Sequence, residues 1–405
     1  MIDEIATQLT WSETLARLHH FRDRVTTQYC DEIVQRRDTN RTTLKPGGGP
    51  GWPLADRVRG LAGFGLLVAA ATALGCGDSG PSGAFAMQRS LGRGINLGNV
   101  LEASPTEGSW GLRLSDGLFD RAKEAGFATI RLPVRWSNHA GATAPFTIDP
   151  AWFRRVDTAV RAAQARDMNV VIDLHHYRQL GGEPLDYGER AVSPNVVDDR
   201  FVAMWQQIAE HYRAESNDHV LFELYNEPNT TLTPQRWNRL FPRALAAVRS
   251  TNADRYVVIG PASWNSADAL KDLALPDDPR IIVTVHNYAP FSFTHQGTGP
   301  PGGEPRSWLG TTCCTGTQLR EITTPLDTAK TWAGSRWPIW LGEFGSYEQA
   351  PYDSRVRFTR IAREEAEKRG FTWAYWELAS SFGIWDPRAN RWRTQLRDAL
   401  IGAKP

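Results

Sequence analysis

Short apolar runs alternate with amphipathic stretches from residue 93 onward. Most runs are continuously apolar and rich in β-branched and aromatic residues, which is typical of parallel strands that are buried on both faces. They predict eight strands, at 93–99, 129–136, 169–177, 220–228, 256–264, 281–290, 338–345 and 371–378.

The stretches between these runs have helical periodicity. In 149–167, Asp149 is placed as the N-cap, Pro150 takes the first helical position, and apolar residues repeat on one face. Eight strand–helix repeats predict an α/β fold, a single (β/α)8 TIM barrel over 91–405. A doubly wound open sheet is the competing class, but the chain has neither GxGxxG nor a P-loop motif. The other predicted helices cover 198–214, 233–250, 318–333 and 354–369.

A different pattern precedes the barrel. Residues 61–75 are apolar and uncharged, with Arg57 and Arg59 before them and Cys76 directly after them. This length fits the centre of a secretory signal better than a bilayer span. The ending ALGC resembles a bacterial lipobox, so 54–76 is predicted to be a signal peptide with a lipid anchor at Cys76. A buried core helix is the alternative.

The segments on either side of this signal-like run complete the predicted domain organisation. Residues 1–53 contain the breaker-rich sequence KPGGGPGWP and are interpreted as a doubtful extension, with translation starting near Leu54. Residues 77–90 are interpreted as a linker. We therefore expect a bacterial monomer that is secreted, or held at the cell surface or in the periplasm, with or without a lipid anchor.

Composition narrows the function classes. Hydrophobic residues make up 41% of the chain, enough for a large core, and 46 Lys+Arg nearly balance 45 Asp+Glu. Because the chain has no basic excess, a nucleic-acid partner is not expected. The 16 Trp residues favour a carbohydrate partner, because Trp stacks on sugar rings.

The four cysteines are too few for a disulfide scaffold. Cys30 lies in the doubtful extension and Cys76 is the candidate lipid site. The adjacent Cys313 and Cys314 lack the spacing of a zinc site. They could form a ring through a vicinal disulfide or remain two thiols, and both alternatives stay open.

Polar side chains gather at the ends of five predicted strands. Charged groups that are buried without a partner are costly, so such ends on otherwise apolar strands predict one shared polar site at the mouth of the barrel. These residues are Arg131 and Arg135, His175 and His176, Asn226 and Glu227, His286 and Tyr288, and Glu343.

Glu227 and Glu343 end the fourth and seventh strands, which places them across one barrel mouth. Two carboxyl groups that face each other suit glycosidic bond cleavage, in which one donates a proton and the other attacks the anomeric carbon. Arg131 is placed to keep Glu343 ionised, while the site around the fourth strand would keep Glu227 protonated.

The motifs IRLPVRW, DLHHY, LYNEP, VHNYAP, LGEFG and YWEL occur in this order on these strands. Together they resemble glycoside hydrolase family 5, the cellulase family A barrels, over roughly residues 90–400. The resemblance implies an endo-acting β-glycanase that cleaves β-1,4-glucan with retention of configuration, by double displacement. It implies neither a metal nor an organic cofactor.

The resemblance also implies roles for individual residues. Glu227 would be the general acid/base, Glu343 the nucleophile, and Asn226 the partner of the sugar 2-hydroxyl. Arg131 and Tyr288 would brace Glu343. The central subsite would be shaped by His175 and His286, with a less defined part for His176; Trp376 would form its floor, and Asn96 and Asn99 would support the site.

Alternatives remain for the substrate and the aromatic residues. β-Mannan or mixed-linkage glucan could replace cellulose, because loops decide the sugar, and a transglycosylase would use the same residues. A non-catalytic, glycan-binding surface lipoprotein is the alternative from another class, although both glutamates are present. The acidic loop 181–190 lacks the spacing of a metal site and is interpreted as solvated. Three Trp residues could be stacking platforms or packing residues: Trp136, Trp264 and Trp308.

Overall fold

Eight parallel strands pair in chain order in the computed structural model, which describes residues 83–298 and 306–402. The last strand pairs with the first, so the sheet is a closed barrel, and the predicted (β/α)8 fold is confirmed. The strands are β1 (Arg93–Asn96), β2 (Thr129–Val134), β3 (Asn169–Leu174), β4 (Val220–Glu223), β5 (Val257–Ile259), β6 (Ile281–His286), β7 (Ile339–Glu343) and β8 (Thr372–Tyr375).

Most strands are followed by a helix on the outside of the barrel. Asp149 caps its helix as predicted, because its carboxylate accepts a hydrogen bond from the Ala151 amide at 2.7 Å. After β5, a 3₁₀ turn at Ala267–Asp272 occupies the place of a long helix. The long helices are α1 (Gly83–Leu91), α2 (Asp116–Ala125), α3 (Pro150–Gln164), α4 (Val197–His211), α5 (Pro234–Arg249), α6 (Gly316–Ala333), α7 (Tyr352–Lys368) and α8 (Thr394–Ile401).

Shorter elements lie in the loops. A hairpin of two short antiparallel strands, β9 (Trp385–Asp386) and β10 (Arg391–Trp392), is inserted between β8 and α8. Single helical turns occur at Arg178–Gly181, Ala262–Asn265 and Phe291–Thr294, and further 3₁₀ turns at Trp136–His139, Pro194–Val196 and Arg306–Trp308.

Helix α1 closes the N-terminal end of the barrel. Its Met87 and Leu91 pack against a layer of apolar side chains inside the barrel, and the Gln88 amide donates to the Ile339 carbonyl at 2.9 Å. The linker predicted over 77–90 therefore differs from the structure, which has a packed helix from Gly83 onward. The interior layer consists of Val171, Leu221, Val258, Ile282, Trp340 and Ala374.

The next interior layer is polar. Alternate residues of a strand share a face, so Asp173 and Glu223 follow Val171 and Leu221 toward the C-terminal end of the barrel. Both carboxylates contact Arg131 of β2. The barrel thus has an apolar floor and a charged upper half, which faces the mouth.

Other sequence expectations have mixed outcomes. The doubtful extension 1–53, the signal-like segment 54–76 with Cys76, and residues 77–82 lie outside the described residues. Cys313 and Cys314 are joined by a disulfide bond, the first of the two alternatives. Among the residues that the structure describes, no helix combines the length and the apolar character needed to cross a membrane.

Candidate active site

A cleft of about 860 Å³ opens at the C-terminal ends of the strands. The structure brings all the predicted site residues together there, with Arg131 directly beneath the cleft. The others line its walls: His175, His176, Asn226, Glu227, His286, Tyr288, Glu343 and Trp376.

Arg131 is the centre of a buried hydrogen-bond network. Its guanidinium is fully buried and binds the carboxylates of Glu223 at 2.7 and 2.8 Å, Glu343 at 2.5 Å and Asp173 at 3.1 Å. It also donates to the side-chain oxygen of Asn226 at 2.8 Å, and to that of the supporting residue Asn96 at 3.0 Å. One cation therefore orients groups from β1, β3, β4, β7 and the loop after β4.

Glu343 receives two strong donors. One oxygen accepts from Arg131, and the other accepts from the Tyr288 hydroxyl at 2.8 Å. Burial raises the pKa of Glu343, while the Arg131 charge and the Tyr288 hydrogen bond act in the opposite direction and favour its charged form. Its carboxylate is thus held in one orientation, with both oxygens hydrogen-bonded.

Glu227 has a different environment. It follows Asn226 in the loop after β4 and has a backbone φ of +51°, a strained value for a residue with a side chain. Its side chain is 23% exposed to the cleft, and burial raises its pKa to about 7. Its carboxyl group therefore retains a proton up to neutral pH, while remaining open to a bound molecule.

His286 lies between the two glutamates. Its Nδ1 is 2.8 Å from Glu227 Oε1 and 3.7 Å from Glu343 Oε2. Burial lowers its pKa to about 4, so the ring is neutral. The Asn265 amide nitrogen lies 3.3 Å from Nε2 and donates to it, which leaves the single ring proton on Nδ1, facing Glu227.

His175 and Trp376 form a second wall of the cleft. Their rings are stacked, with centroids 5.3 Å apart and planes 8° apart. The His175 Nδ1 lies 2.6 Å from Asp173 Oδ2, which fixes the orientation of the imidazole. His176 lies at the edge of Trp110, with ring centroids 6.1 Å apart. The paired histidines therefore contact different parts of the cleft.

Exposed aromatic side chains extend the cleft on both sides of the two glutamates. Trp110 is 40% exposed on one side, while Trp264 is 56% exposed on the other side and shares it with Phe291. Trp136 is completely buried and serves packing. Trp308 packs edge-on against Phe291 with centroids 6.0 Å apart and does not line the cleft. Of the three Trp residues that could be stacking platforms or packing residues, only Trp264 lies exposed in the cleft, where it could stack on a sugar ring.

The loop 181–190 is not simply solvated, which corrects the sequence interpretation. Asp186 accepts from the buried Arg135 guanidinium at 2.6 Å, and Arg178 pairs with both Glu183 and Asp186. The buried Glu189 carboxylate accepts the Arg178 amide at 3.0 Å. The acidic residues are therefore partners of arginines that hold the loop beside the cleft.

One cluster among the described residues has the composition of a metal site. The closest ligand atoms of Glu227, His286 and Glu343 all lie within 4.8 Å of one another. Their positions are already taken by hydrogen bonds, from Arg131 and Tyr288 to Glu343 and from His286 to Glu227. The cluster therefore consists of two carboxyl groups in different hydrogen-bonding environments, with a histidine between them.

Sequence reasoning missed several residues that build the site. Asp173 and Glu223 interrupt the otherwise apolar strands β3 and β4, and that interruption was the available signal. Asn265 lies in a turn in which Ser263, Trp264 and Asn265 all have positive φ. No sequence pattern distinguishes that turn from an ordinary loop.

Comparisons with known proteins agree with this geometry. The family model described as cellulase, glycosyl hydrolase family 5, matches residues 95–381. Endoglucanase H of Acetivibrio thermocellus is 34% identical over 326 residues, which are 78% of this chain and 33% of that protein. The chain therefore spans about a third of this relative.

Solved structures are similar over the barrel. Thermotoga maritima Cel5A in complex with cellobiose is 39% identical, with a TM-score of 0.73, over 78% of this chain and all of that one. The same protein in complex with mannotriose is 38% identical, with the same TM-score and coverage.

The family match, together with a closed (β/α)8 barrel that has two carboxyl groups in its mouth, identifies this protein as a glycoside hydrolase. The chain belongs to glycosyl hydrolase family 5, the cellulases.

Proposed function

We propose that the protein is a retaining endo-β-1,4-glucanase. The observation that carries this proposal is the spacing of the catalytic pair, because the nearest carboxyl oxygens of Glu227 and Glu343 are within 4.8 Å of each other. Retaining glycosidases have carboxyl groups about 5–5.5 Å apart, whereas inverting ones leave about 6.5–9.5 Å for a water molecule. The short spacing supports direct attack by one carboxylate.

In the first step, the Glu343 carboxylate attacks the anomeric carbon while the protonated Glu227 donates its proton to the departing glycosidic oxygen. The bond to the leaving sugar breaks as the glycosyl–Glu343 ester forms. In the second step, Glu227 removes a proton from water, the water oxygen attacks the anomeric carbon, and Glu343 is released. Each carboxyl group thus returns to its starting state.

The environments of the two glutamates support these roles. A pKa of about 7 keeps Glu227 protonated below neutral pH, as a general acid requires. Arg131 and Tyr288 occupy both oxygens of Glu343 and stabilise the carboxylate that must attack. The neutral His286 donates a hydrogen bond to Glu227, and its Nδ1–H can do so both when Glu227 is protonated and when it is ionised.

The surrounding residues suit a pyranose ring. The Asn226 side-chain oxygen is occupied by Arg131, which leaves its amide group to donate to the 2-hydroxyl. The Trp376 ring, fixed by stacking on His175, offers an apolar face for the sugar at the cleavage point. Aromatic residues on both sides of the catalytic pair support cleavage within a chain.

The test is a reducing-sugar and chain-length assay on carboxymethyl cellulose, barley glucan, mannan and xylan. We expect a β-glucan to be shortened internally, and Glu227→Gln and Glu343→Gln to lower kcat by at least about 1,000-fold. Azide should rescue Glu343→Ala with formation of an α-glycosyl azide and Glu227→Ala with formation of a β-glycosyl azide. Binding of a glucan without cleavage would overturn the proposal in favour of a glycan-binding protein.

β-1,4-Mannan is the second candidate substrate. The supporting observation is that Thermotoga maritima Cel5A, 38% identical to this chain, was solved with mannotriose as well as with cellobiose. The same assay separates the candidates, since a higher kcat/KM on mannan than on barley glucan would assign the protein as a mannanase. High concentrations of acceptor sugar in that assay would reveal any transglycosylation.

For localisation, we propose export through the signal-like segment 54–76 and lipid attachment at Cys76. The support is the uncharged run 61–75 between two arginines and a cysteine. Mass analysis of the exported protein should give a lipidated N-terminus at Cys76. A mature form that retains residues 1–53 would contradict this proposal.

A further inference from the structure

Two further cavities continue the active-site cleft on its Trp110 side. Trp110 lines both the cleft and a second cavity of about 460 Å³, whose walls include Ser380 and Ser381. Asp386 and Arg393 line both this second cavity and a third of about 810 Å³. Each cavity shares a wall with the next, so they form a row that leads away from the catalytic carboxylates.

The third cavity, called here the distal cavity, is built around the β9–β10 hairpin. It lies between this hairpin, Arg121 of α2, and the first residues of α7 and α8. The rings of Trp385 and Trp392 meet at 4.9 Å, and the Arg121 guanidinium lies 4.8 Å above the Trp385 ring. These contacts fix the aromatic wall in position before any ligand binds.

The distal cavity combines aromatic surface with neutral and charged hydrogen-bonding groups. Trp385 is buried and holds the hairpin in place, but Trp392 is only partly covered, and Tyr352 is 39% exposed. Asn390 and Thr394 are exposed beside them. Partly exposed rings with a few polar groups around them are typical of a site for a sugar chain.

The charges in the distal cavity are largely compensated. Arg121 pairs with Glu124 at 2.6 Å, and Arg393 lies 3.6 Å from Glu348. Asp386 accepts two backbone amides of its own turn and is the strand partner of the exposed Arg391, and both residues line this cavity. The paired arginines favour a neutral ligand over a strongly anionic one.

We propose that the distal cavity binds a segment of the same β-glucan chain whose cleaved part occupies the active-site cleft. The proposal rests on the glucanase function proposed above. The occupant follows from adjacency, because Trp110 borders the cleft and the second cavity, and Asp386 and Arg393 border the second cavity and the distal cavity. Long chains thereby gain contacts that short oligosaccharides cannot make.

The experiment compares hydrolysis of neutral barley glucan with that of a short aryl cellobioside by the full chain. We expect Trp392→Ala and Tyr352→Ala each to lower the ratio of kcat/KM on barley glucan to kcat/KM on the aryl cellobioside by about fivefold. Trp337→Ala is the matched control for Trp392→Ala, because both rings are partly covered and have a guanidinium above them, Arg336 at 5.0 Å over Trp337 and Arg397 at 5.6 Å over Trp392. Trp337 lies before the N-terminal end of β7, away from the cleft. Trp337→Ala should leave the ratio unchanged.

Binding is measured separately, by retardation of Glu343→Gln in gels that contain barley glucan, with and without the Trp392→Ala change. Reduced retardation supports the distal site. If Trp392→Ala does not fold, as judged by its thermal midpoint, the same two measurements on Tyr352→Ala test the proposal, because Tyr352 is exposed. An unchanged ratio and unchanged retardation for the folded variants would overturn the proposal.

Two further outcomes are distinguishable. If the wild type cleaves neither substrate, the proposed glucanase function fails, and the retardation assay alone decides whether the distal cavity binds glucan. If the variants affect only carboxymethyl cellulose, and added salt removes the effect, the distal cavity is an anion-binding surface of arginines and the proposal is overturned.

Discussion

The hydrogen bond from Tyr288 to Glu343 allows a quantitative test of the catalytic arrangement. Tyr288→Phe removes a single 2.8 Å donor from the charged carboxylate and keeps the ring in place. A hydrogen bond to a charged group contributes about 1.5–3 kcal/mol, and about 1.36 kcal/mol corresponds to one pKa unit. The loss should therefore raise the pKa of Glu343 by about 1–2 units.

The sign of the expected shift follows from the role of Glu343. Since the carboxylate is the attacking form, a raised pKa moves the acidic limb of the profile of kcat/KM against pH to higher pH. The alkaline limb, which reflects loss of the Glu227 proton, should stay near pH 7. At the optimum, kcat/KM should fall about 10- to 100-fold, in line with the lost stabilisation.

The assay is a pH series with an aryl cellobioside, accompanied by thermal unfolding of each variant. Tyr256→Phe is the matched control, because it also removes a tyrosine hydroxyl that is hydrogen-bonded to a charged group, Arg280, but near the N-terminal end of the barrel. It should leave both limbs in place. A Tyr288→Phe enzyme with an unmoved acidic limb and kcat/KM within about twofold of wild type would refute the reasoning.

Three further predictions concern the network around the glutamates. Gly342→Ala would place a Cβ 2.5 Å from the Thr284 Oγ1 and 3.0 Å from the His286 Nε2, so both side chains must shift, and the displaced imidazole should lower kcat by about 10- to 100-fold in steady-state assays. Burial raises the pKa of Glu377 from 4.5 to about 8, so the folded protein keeps a proton that the unfolded chain loses. The free energy of unfolding should therefore fall as pH rises from about 5 to 8. Glu377→Gln should make this fall smaller, as measured by thermal midpoints across the pH range. Arg131→Met leaves the Glu223 carboxylate buried without its partner and should cost about 3–5 kcal/mol in urea unfolding; a stability within about 1 kcal/mol of wild type would contradict this.

The barrel could be predicted because its strands are buried on both faces. Their continuous apolar runs stand out from the amphipathic helices, and each run leads to one of the observed strands. Helix α1 was missed because its short apolar pattern follows a stretch rich in glycine and serine. Its stability comes from packing against the barrel floor, which only the closed sheet provides.

The site could be predicted where a polar residue interrupts or ends an apolar strand. Glu227 and Glu343 were identifiable in this way, together with their order along the chain. The Arg131 contact with Glu343 was also expected, but Asn265 as a partner of His286 and Glu223 as a partner of Arg131 could not be identified, because they depend on which side chains the closed barrel brings together. The Asn265 contact with His286 spans 21 residues, and the Glu223 contact with Arg131 spans 92.

The position of α1 determines how a tethered form of this enzyme would meet its substrate. The chain enters the barrel at the end that α1 closes, opposite the cleft. If the protein is anchored at Cys76 as proposed, the anchored segment would join the barrel at the end opposite the cleft. A polymer could then bind along the cleft without contacting the surface to which the enzyme is attached. Shortening the tether would first reduce the distance over which the enzyme can reach substrate, before it blocked entry of the polymer into the cleft.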